Sequence, residues 1–143
     1  MNNEPDYKNN LYFEDKNSTN NVVKKYNIMD FLSNIDFLTK VDEHKQLFPL
    51  ANLEGQILKL EEELNESQNA QDNIEFINEV ADCVICCIGI YRWAPLVSRS
   101  YLAWLTTRGT VDVIKQLITA VNNKWQINLN RTWEYKDGKY HHI

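Results

Sequence analysis

The sequence predicts an all-α protein, a four-helix bundle, and three observations carry that expectation. Glycine and proline are scarce, 4 and 3 among 143 residues, which leaves few tight turns and argues against a many-stranded sandwich or barrel. Apolar residues recur at steps of three and four along most of the chain, the spacing of one helix face. Helix-capping residues stand just ahead of several of these segments, as Asn52, Asp72 or Asn73, and Thr110 do. With 43% apolar residues, the chain has the make-up and length of one domain with a real core.

Residues 1–26 are polar and Asn-rich and predict a flexible extension. Residues 27–143 form the helical domain. Ile28, Phe31, Leu32, Ile35, Leu38 and Val41 predict a first helix, ending near "HKQLFPLAN" because Pro49 disfavours a helical Phe48. Asn52 caps a second, with Leu53, Ile57, Leu60 and Leu64 as its apolar stripe and Gln56, Lys59, Glu63 and Glu66 on another face. The turn formers of "NESQNAQDN" end it. Ile74, Ile77, Val80, Ala81, Val84, Ile85 and Ile88 give the third helix a broad apolar face, that of a central element ended by Pro95. "LVSRSYLAWLTTRG" is ambiguous and reads as at most a short helix. Gly109 and Thr110 stop it and start the last helix, which carries Val111, Ile114, Leu117, Ile118, Val121 and Trp125. "DGK" at 137–139 is a turn signal in a polar tail.

Charge and composition exclude several classes. The net charge is −5 with no basic block, so the footprint of a protein that binds a nucleic-acid polymer is missing. No basic-then-apolar leader is present, and the longest apolar run, Cys83–Ile90, is too short for a bilayer. No membrane association is expected, and a cytoplasmic location is the default. Cys83, Cys86 and Cys87 then need no disulfide. Their CxxC has no second pair and sits in a helix interior, so they read as core cysteines.

The chemistry lies in the acidic residues of "EEELNE" and "NEVAD". Residues three apart share a helix face. Glu63 and Glu66 therefore pair, with Glu62 on the flank, and Glu79 and Asp82 pair on the next helix. A short polar connection makes the two helices antiparallel neighbours. Glutamate runs on helices are ordinarily solvated faces, but Asp82 precedes "CVICCIGI" and a buried charge needs a partner, either a lysine or a metal. Four ionised carboxylates at about 4 Å and an effective dielectric of about 20 repel by roughly 4 kcal/mol per pair. Their pKa values rise or a cation joins them. An all-oxygen set without histidine suits Mg²⁺, with Mn²⁺ as the alternative, and Mg²⁺ sites commonly leave positions for substrate phosphates.

"EELNE" (Glu62, Glu63, Glu66), a spacer of twelve residues and "EVAD" (Glu79, Asp82) resemble the EExxE…ExxD signature of the MazG-like all-α nucleoside triphosphate pyrophosphohydrolases. Gln56, Lys59 and Leu60 before it, and Lys124, Asn128 and Arg131 in "KWQINLNRTW", are similar to what members carry. "DGKYHHI" looks like the tail of some short bacterial and phage members. The likeness runs from about Phe37 to Ile143. The stretch from Asp82 to Lys124 is longer than in compact members, and "WAPLVSRSYLAWLTTRG" reads as an insertion.

The resemblance implies hydrolysis of a nucleoside triphosphate, in the first place a deoxynucleotide, to monophosphate and pyrophosphate, as nucleotide-pool housekeeping. It implies Glu63, Glu66, Glu79 and Asp82 as Mg²⁺ ligands, with Glu62 and Glu63 catalytic and Glu62 orienting or activating the water. Lys59, Lys124, Asn128 and Arg131 would hold phosphates. A homodimer or homotetramer with substrate near the interface is the expected assembly. Lys124 and Asn128, four apart, share a helix face, and Arg131 offers a forked phosphate contact.

Tryptophans ordinarily pack in cores or interfaces. Trp125 and Trp133, which flank the phosphate residues, are the candidates to stack on a nucleobase. His142 would reach a phosphate if the tail folds over the site. The alternative function is a non-catalytic helical dimeric interaction module on the same fold. A di-iron bundle is disfavoured, because no Glu-x-x-His pair occurs.

Overall fold

The computed structural model describes residues 25–143, so the predicted extension falls outside the described residues except for its last two. Six α-helices and one β-hairpin follow: α1 (Ile28–Asn34), α2 (Phe37–Leu47), α3 (Leu53–Gln68), α4 (Asn73–Ile90), α5 (Pro95–Arg108), α6 (Val111–Asn130), β1 (Trp133–Lys136) and β2 (Lys139–His142). The helical class holds. The count of four main helices does not, and the polar tail keeps its predicted turn but pairs into a hairpin.

The predicted first helix is two. Its break lies at Ile35 and Asp36, where Asp36 takes a left-handed backbone (φ 48°, ψ 53°), a conformation Asp tolerates better than most residues. Side chains from elsewhere satisfy the carbonyls freed there. Lys40 Nζ donates to Ile35 O and to Asn122 Oδ1, and Asn122 Nδ2 donates to Asn34 O. The break also resets the helical phase. Phe37 and Val41 are buried, while Leu38 from the predicted stripe is 64% exposed.

Helix starts follow local chemistry. Asn27 Oδ1 accepts from Met29 N, Asn52 Oδ1 from Gly55 N, Asp72 Oδ1 from Glu75 N and Thr110 Oγ1 from Val113 N. Each satisfies an amide that the helix cannot. Pro95 does not merely end the third predicted helix. It opens α5 as its first residue, a position where its missing N–H costs nothing. The ambiguous stretch is thus a full helix.

α4 is the central rod, packed by α2, α3, α5 and α6. Its Phe76, Ile77, Val80, Ala81, Val84, Cys87 and Ile88 meet Phe31, Ile35, Val41, Leu102, Leu105, Ile114, Leu117, Val121 and Trp125 in one core. Ser98 Oγ donates to Cys87 O at 2.6 Å, seating α5 on the end of α4. The cysteines are buried and unbridged as expected, and burial pushes all three thiols well up. Gly89 lets helices approach: a Cβ there would lie 2.4 Å from Gln56 Oε1 and 2.7 Å from His44 Nε2.

α3 differs from the other long helices. Its one extensive helical neighbour is α4, and Ser67 is its only buried residue. The expected stripe is not core: Ile57 and Leu64 are exposed, beside exposed Leu58. No helix among the described residues is long and apolar enough to cross a membrane.

Candidate metal centre and its cleft

The polar connection 69–72 turns the chain so that α4 packs back along α3. This brings Glu63 of α3 against Glu79 and Asp82 of α4. One oxygen from each of the three lies within 4.8 Å of the others, close enough to share one cation. Glu66, one turn from Glu63, lies near enough to Glu79 for its carboxyl to help raise that of Glu79. Three of the four predicted carboxylates thus meet closely enough to share one cation, and Glu66 lies outside that set while adding its charge to it. Glu62 does not join them. It is exposed and lies outside the residues lining the adjacent cleft.

Electrostatics at this point is unfavourable without a cation. Burial pushes the Glu63 carboxyl up to about 8, helped by the negative charges of Asp82, Glu66 and Glu79. Glu79 is raised too, first by burial, then by the neighbouring Glu66 carboxyl and the charge of Asp82. Glu63 Oε2 and Glu79 Oε2 are buried without a hydrogen-bond partner, although such oxygens are rarely left unmatched. Lys124 Nζ meets Asp82 Oδ2 at 3.0 Å. Both readings of Asp82 thus have support: it has a lysine partner and also belongs to the carboxylate set. One ammonium against four carboxyl groups leaves the cluster short of positive charge. The hard oxygen donors and the two orphaned oxygens fit Mg²⁺ or Mn²⁺ better than a softer ion.

A cleft of about 490 Å³ opens beside the carboxylates. Lys59, Glu63 and Asp82 line it, with Lys124, Asn128 and Arg131 from α6 and its C-terminal edge. The phosphate candidates thus share one cavity. Trp133 lines it as well. Trp125 does not. It is 2% exposed, and its indole N–H donates to Glu43 Oε1 at 3.1 Å. Trp125 is a core residue, because the apolar phase of α6 turns it inward beside Val121.

The far wall was not legible as structure. Residues 133–142 form an antiparallel hairpin with Trp133 opposite His142 and Tyr135 opposite Tyr140. Asp137 (φ 56°) and Gly138 (φ 81°) supply the two positive φ values of a two-residue turn, the conformation Asp-Gly favours. The tail does fold over the site: Tyr140, His141 and His142 line the cleft, with Ile85, Cys86 and Ile127 below. The "DGK" turn signal was the available clue. The strands are too short and polar to show an alternating pattern.

Gln56, one of the residues that carry the resemblance, lies outside the cleft lining, beside His44 and Gly89. Its side chain hydrogen-bonds His44, whose imidazole is pushed down to about 4 by burial and the nearby Arg92 and Lys59 charges. Comparison of the chain with protein-family models, curated proteins and solved structures finds no match.

Proposed function

We propose that the protein is a Mg²⁺-dependent nucleoside triphosphate pyrophosphohydrolase, cutting a nucleotide, in the first place a deoxynucleotide, into its monophosphate and pyrophosphate. One observation carries the reading: a cation-short set of carboxyls, contributed by two adjacent helices, borders a cleft that Lys59 of α3 and Lys124, Asn128 and Arg131 also line. A triphosphate needs that polarity, with acidic groups for the metal and basic groups for the phosphate oxygens.

Glu63, Glu79 and Asp82 would hold the ion, with Glu66 adding its charge from beside Glu79. Bound there, Mg²⁺ supplies charge neutralisation at the phosphate oxygens and can lower the pKa of a coordinated water. The chain's own groups do the rest. Lys124 and Asn128, on one face of α6, hold phosphate oxygens, and Arg131 adds a forked contact. A water oxygen attacks the α-phosphorus in line with the bond to the bridging oxygen of pyrophosphate. That bond breaks, pyrophosphate leaves with its electron pair, and the water's proton passes to a carboxylate. Glu63 borders the cleft and is the base we favour. Glu62 would reach only a substrate that extends over the rim of α3.

The assembly we favour is a homodimer or homotetramer joined through helices, with the exposed Ile57, Leu58 and Leu64 of α3 as the contact. The same apolar face is what the second reading, a non-catalytic dimeric interaction module, would use.

Pyrophosphate release from each canonical dNTP, with and without Mg²⁺, tests the proposal. We expect release from at least one dNTP, stopped by chelation and reduced at least about a hundredfold in Glu63→Gln and Asp82→Asn, a loss at the upper end of what perturbing a metal's surroundings costs. Mg²⁺-independent release, or full turnover in both variants, rules the site out. A folded dimer with no turnover and no Mg²⁺-dependent nucleotide binding favours the interaction module.

A further inference from the structure

The phosphate reading leaves the C-terminal hairpin without a role. Two strands alone are marginally stable, so something outside β1–β2 must hold it. That something is the α2–α3 corner. The Phe48 ring meets Trp133 at 4.9 Å and Tyr140 at 5.0 Å, both edge-to-face. Leu50 N donates to the Tyr140 hydroxyl at 2.8 Å. Trp133 and Tyr140 are diagonal neighbours on one face of the hairpin, and Phe48 touches both. Phe48 itself does not line the cleft, whereas Trp133, Tyr140 and His142 do.

The order of groups along α6 gives this wall a chemistry. Lys124 sits at the carboxylates, bound to Asp82. Asn128 is one turn further on, about 6 Å along the axis. The Trp133 indole N–H donates to the Asn128 carbonyl at 2.9 Å. From one end to the other the cleft therefore presents carboxylates, then cationic and amide groups, then aromatic rings. A ligand matching that order has a metal-binding phosphate end and a planar ring at the other. Phe48 and His142 both meet the Trp133 indole at near right angles, so neither is stacked parallel on it.

We propose that Trp133, with Tyr140 and His142, forms the subsite for the planar base of a nucleotide, and that Phe48 is the positioning residue that seats it. This rests on the reading of the cleft as a triphosphate site. The hairpin then reads the base while the helices handle the phosphates, and the corner between α2 and α3 governs base recognition without touching the ligand.

Calorimetry on the full chain with Mg²⁺ separates the two ends. The probes are inorganic tripolyphosphate, which has no base, and non-hydrolysable α,β-imido analogues of the four dNTPs. We expect at least one analogue to bind more tightly than tripolyphosphate. Trp133→Leu and Phe48→Ala should weaken that analogue about tenfold, within the range for losing one base–aromatic stack, and change tripolyphosphate less than twofold. Tyr140→Phe, which removes only the hydroxyl bonded to Leu50, should weaken it about threefold, as one hydrogen bond does. It keeps every ring in place, so the test stands even where Phe48→Ala disrupts the corner. Equal losses for both probes, or no loss, overturn the proposal. So does a wild-type chain that binds tripolyphosphate as tightly as every analogue, an outcome that leaves the phosphate reading intact. If the wild type binds neither probe, the phosphate reading fails and this proposal falls with it.

Discussion

Two side chains give this protein opposite responses to pH. Glu63 is raised to about 8 by burial and by the carboxylates around it. Between the ordinary carboxyl range and pH 8, the unfolded chain releases a proton that the folded chain keeps. The metal-free fold therefore loses this contribution as pH rises through 8. His44 is lowered to about 4. Between pH 6.5 and 4 the unfolded chain takes up a proton that the folded chain refuses, so its contribution, about 3 kcal/mol, is present above 6.5 and lost as pH falls through 4. Thermal melts without divalent ions from pH 4 to 8.5 should resolve the two. His44→Asn should flatten the acid limb and leave the alkaline one. Glu63→Gln should flatten the alkaline limb and raise the melting temperature at pH 8. On the proposed metal reading, added Mg²⁺ should raise the melting temperature of the wild type and leave that of Glu63→Gln unchanged. An alkaline limb unchanged in Glu63→Gln would mean another group is responsible.

The α3–α4 pair builds the site, and its geometry starts from two caps and a short link. Asp72 Oδ1 accepts from Glu75 N at 2.7 Å and sets where α4 begins, hence the phase that aims Glu79 and Asp82 at α3. Removing such a cap typically costs about 1 kcal/mol. Asp72→Ala should lower the urea-unfolding free energy by about that amount without changing the stoichiometry of the proposed Mg²⁺ binding, because the interior of α4 is held by packing. A change in stoichiometry would mean that the cap fixes the site itself. The α1–α2 break works differently. The carbonyls it frees are met by Lys40 and by Asn122 of α6, so tertiary contacts hold a local irregularity in place.

For the whole molecule, the notable asymmetry is the outer side of α3. The core lies between α4 and the helices α1, α2, α5 and α6, and α3 lies against α4 with Ile57, Leu58 and Leu64 exposed. Apolar residues on a helix that also carries the site suit an interface between copies. Sedimentation over a range of concentrations should show a species of at least two chains. Ile57→Asp should shift it to monomer while leaving the helical circular dichroism unchanged. A monomeric wild type at all concentrations would refute the assembly. α5 lies on α4 and α1 and contributes no residue to the cleft.

Much of this was legible in the residues because it depends on local geometry. Three-residue spacing placed Glu63 with Glu66 and Glu79 with Asp82, and the polar link implied that the pairs meet. Asn52, Asp72 and Thr110 announced their helices, since capping needs only a short oxygen-bearing side chain at the right place. Lys124, Asn128 and Arg131 were found through a resemblance, and the fold puts them in one cleft. What the residues alone did not reveal depended on contacts between distant segments. Leu38 and Trp125 look alike in a periodic pattern, yet the break at Asp36 turns one to solvent and the phase of α6 buries the other. Glu62 belongs to the same acidic run as Glu63 but is exposed and lies outside the carboxylate set and the cleft lining. The hairpin has too few residues and too little apolar alternation to announce itself, and it lies over the cleft because Phe48, some 85 residues earlier, reaches Trp133 and Tyr140. Periodicity and capping are decided within a turn or two of helix, whereas burial and cleft shape are decided by which surfaces the folded chain brings together.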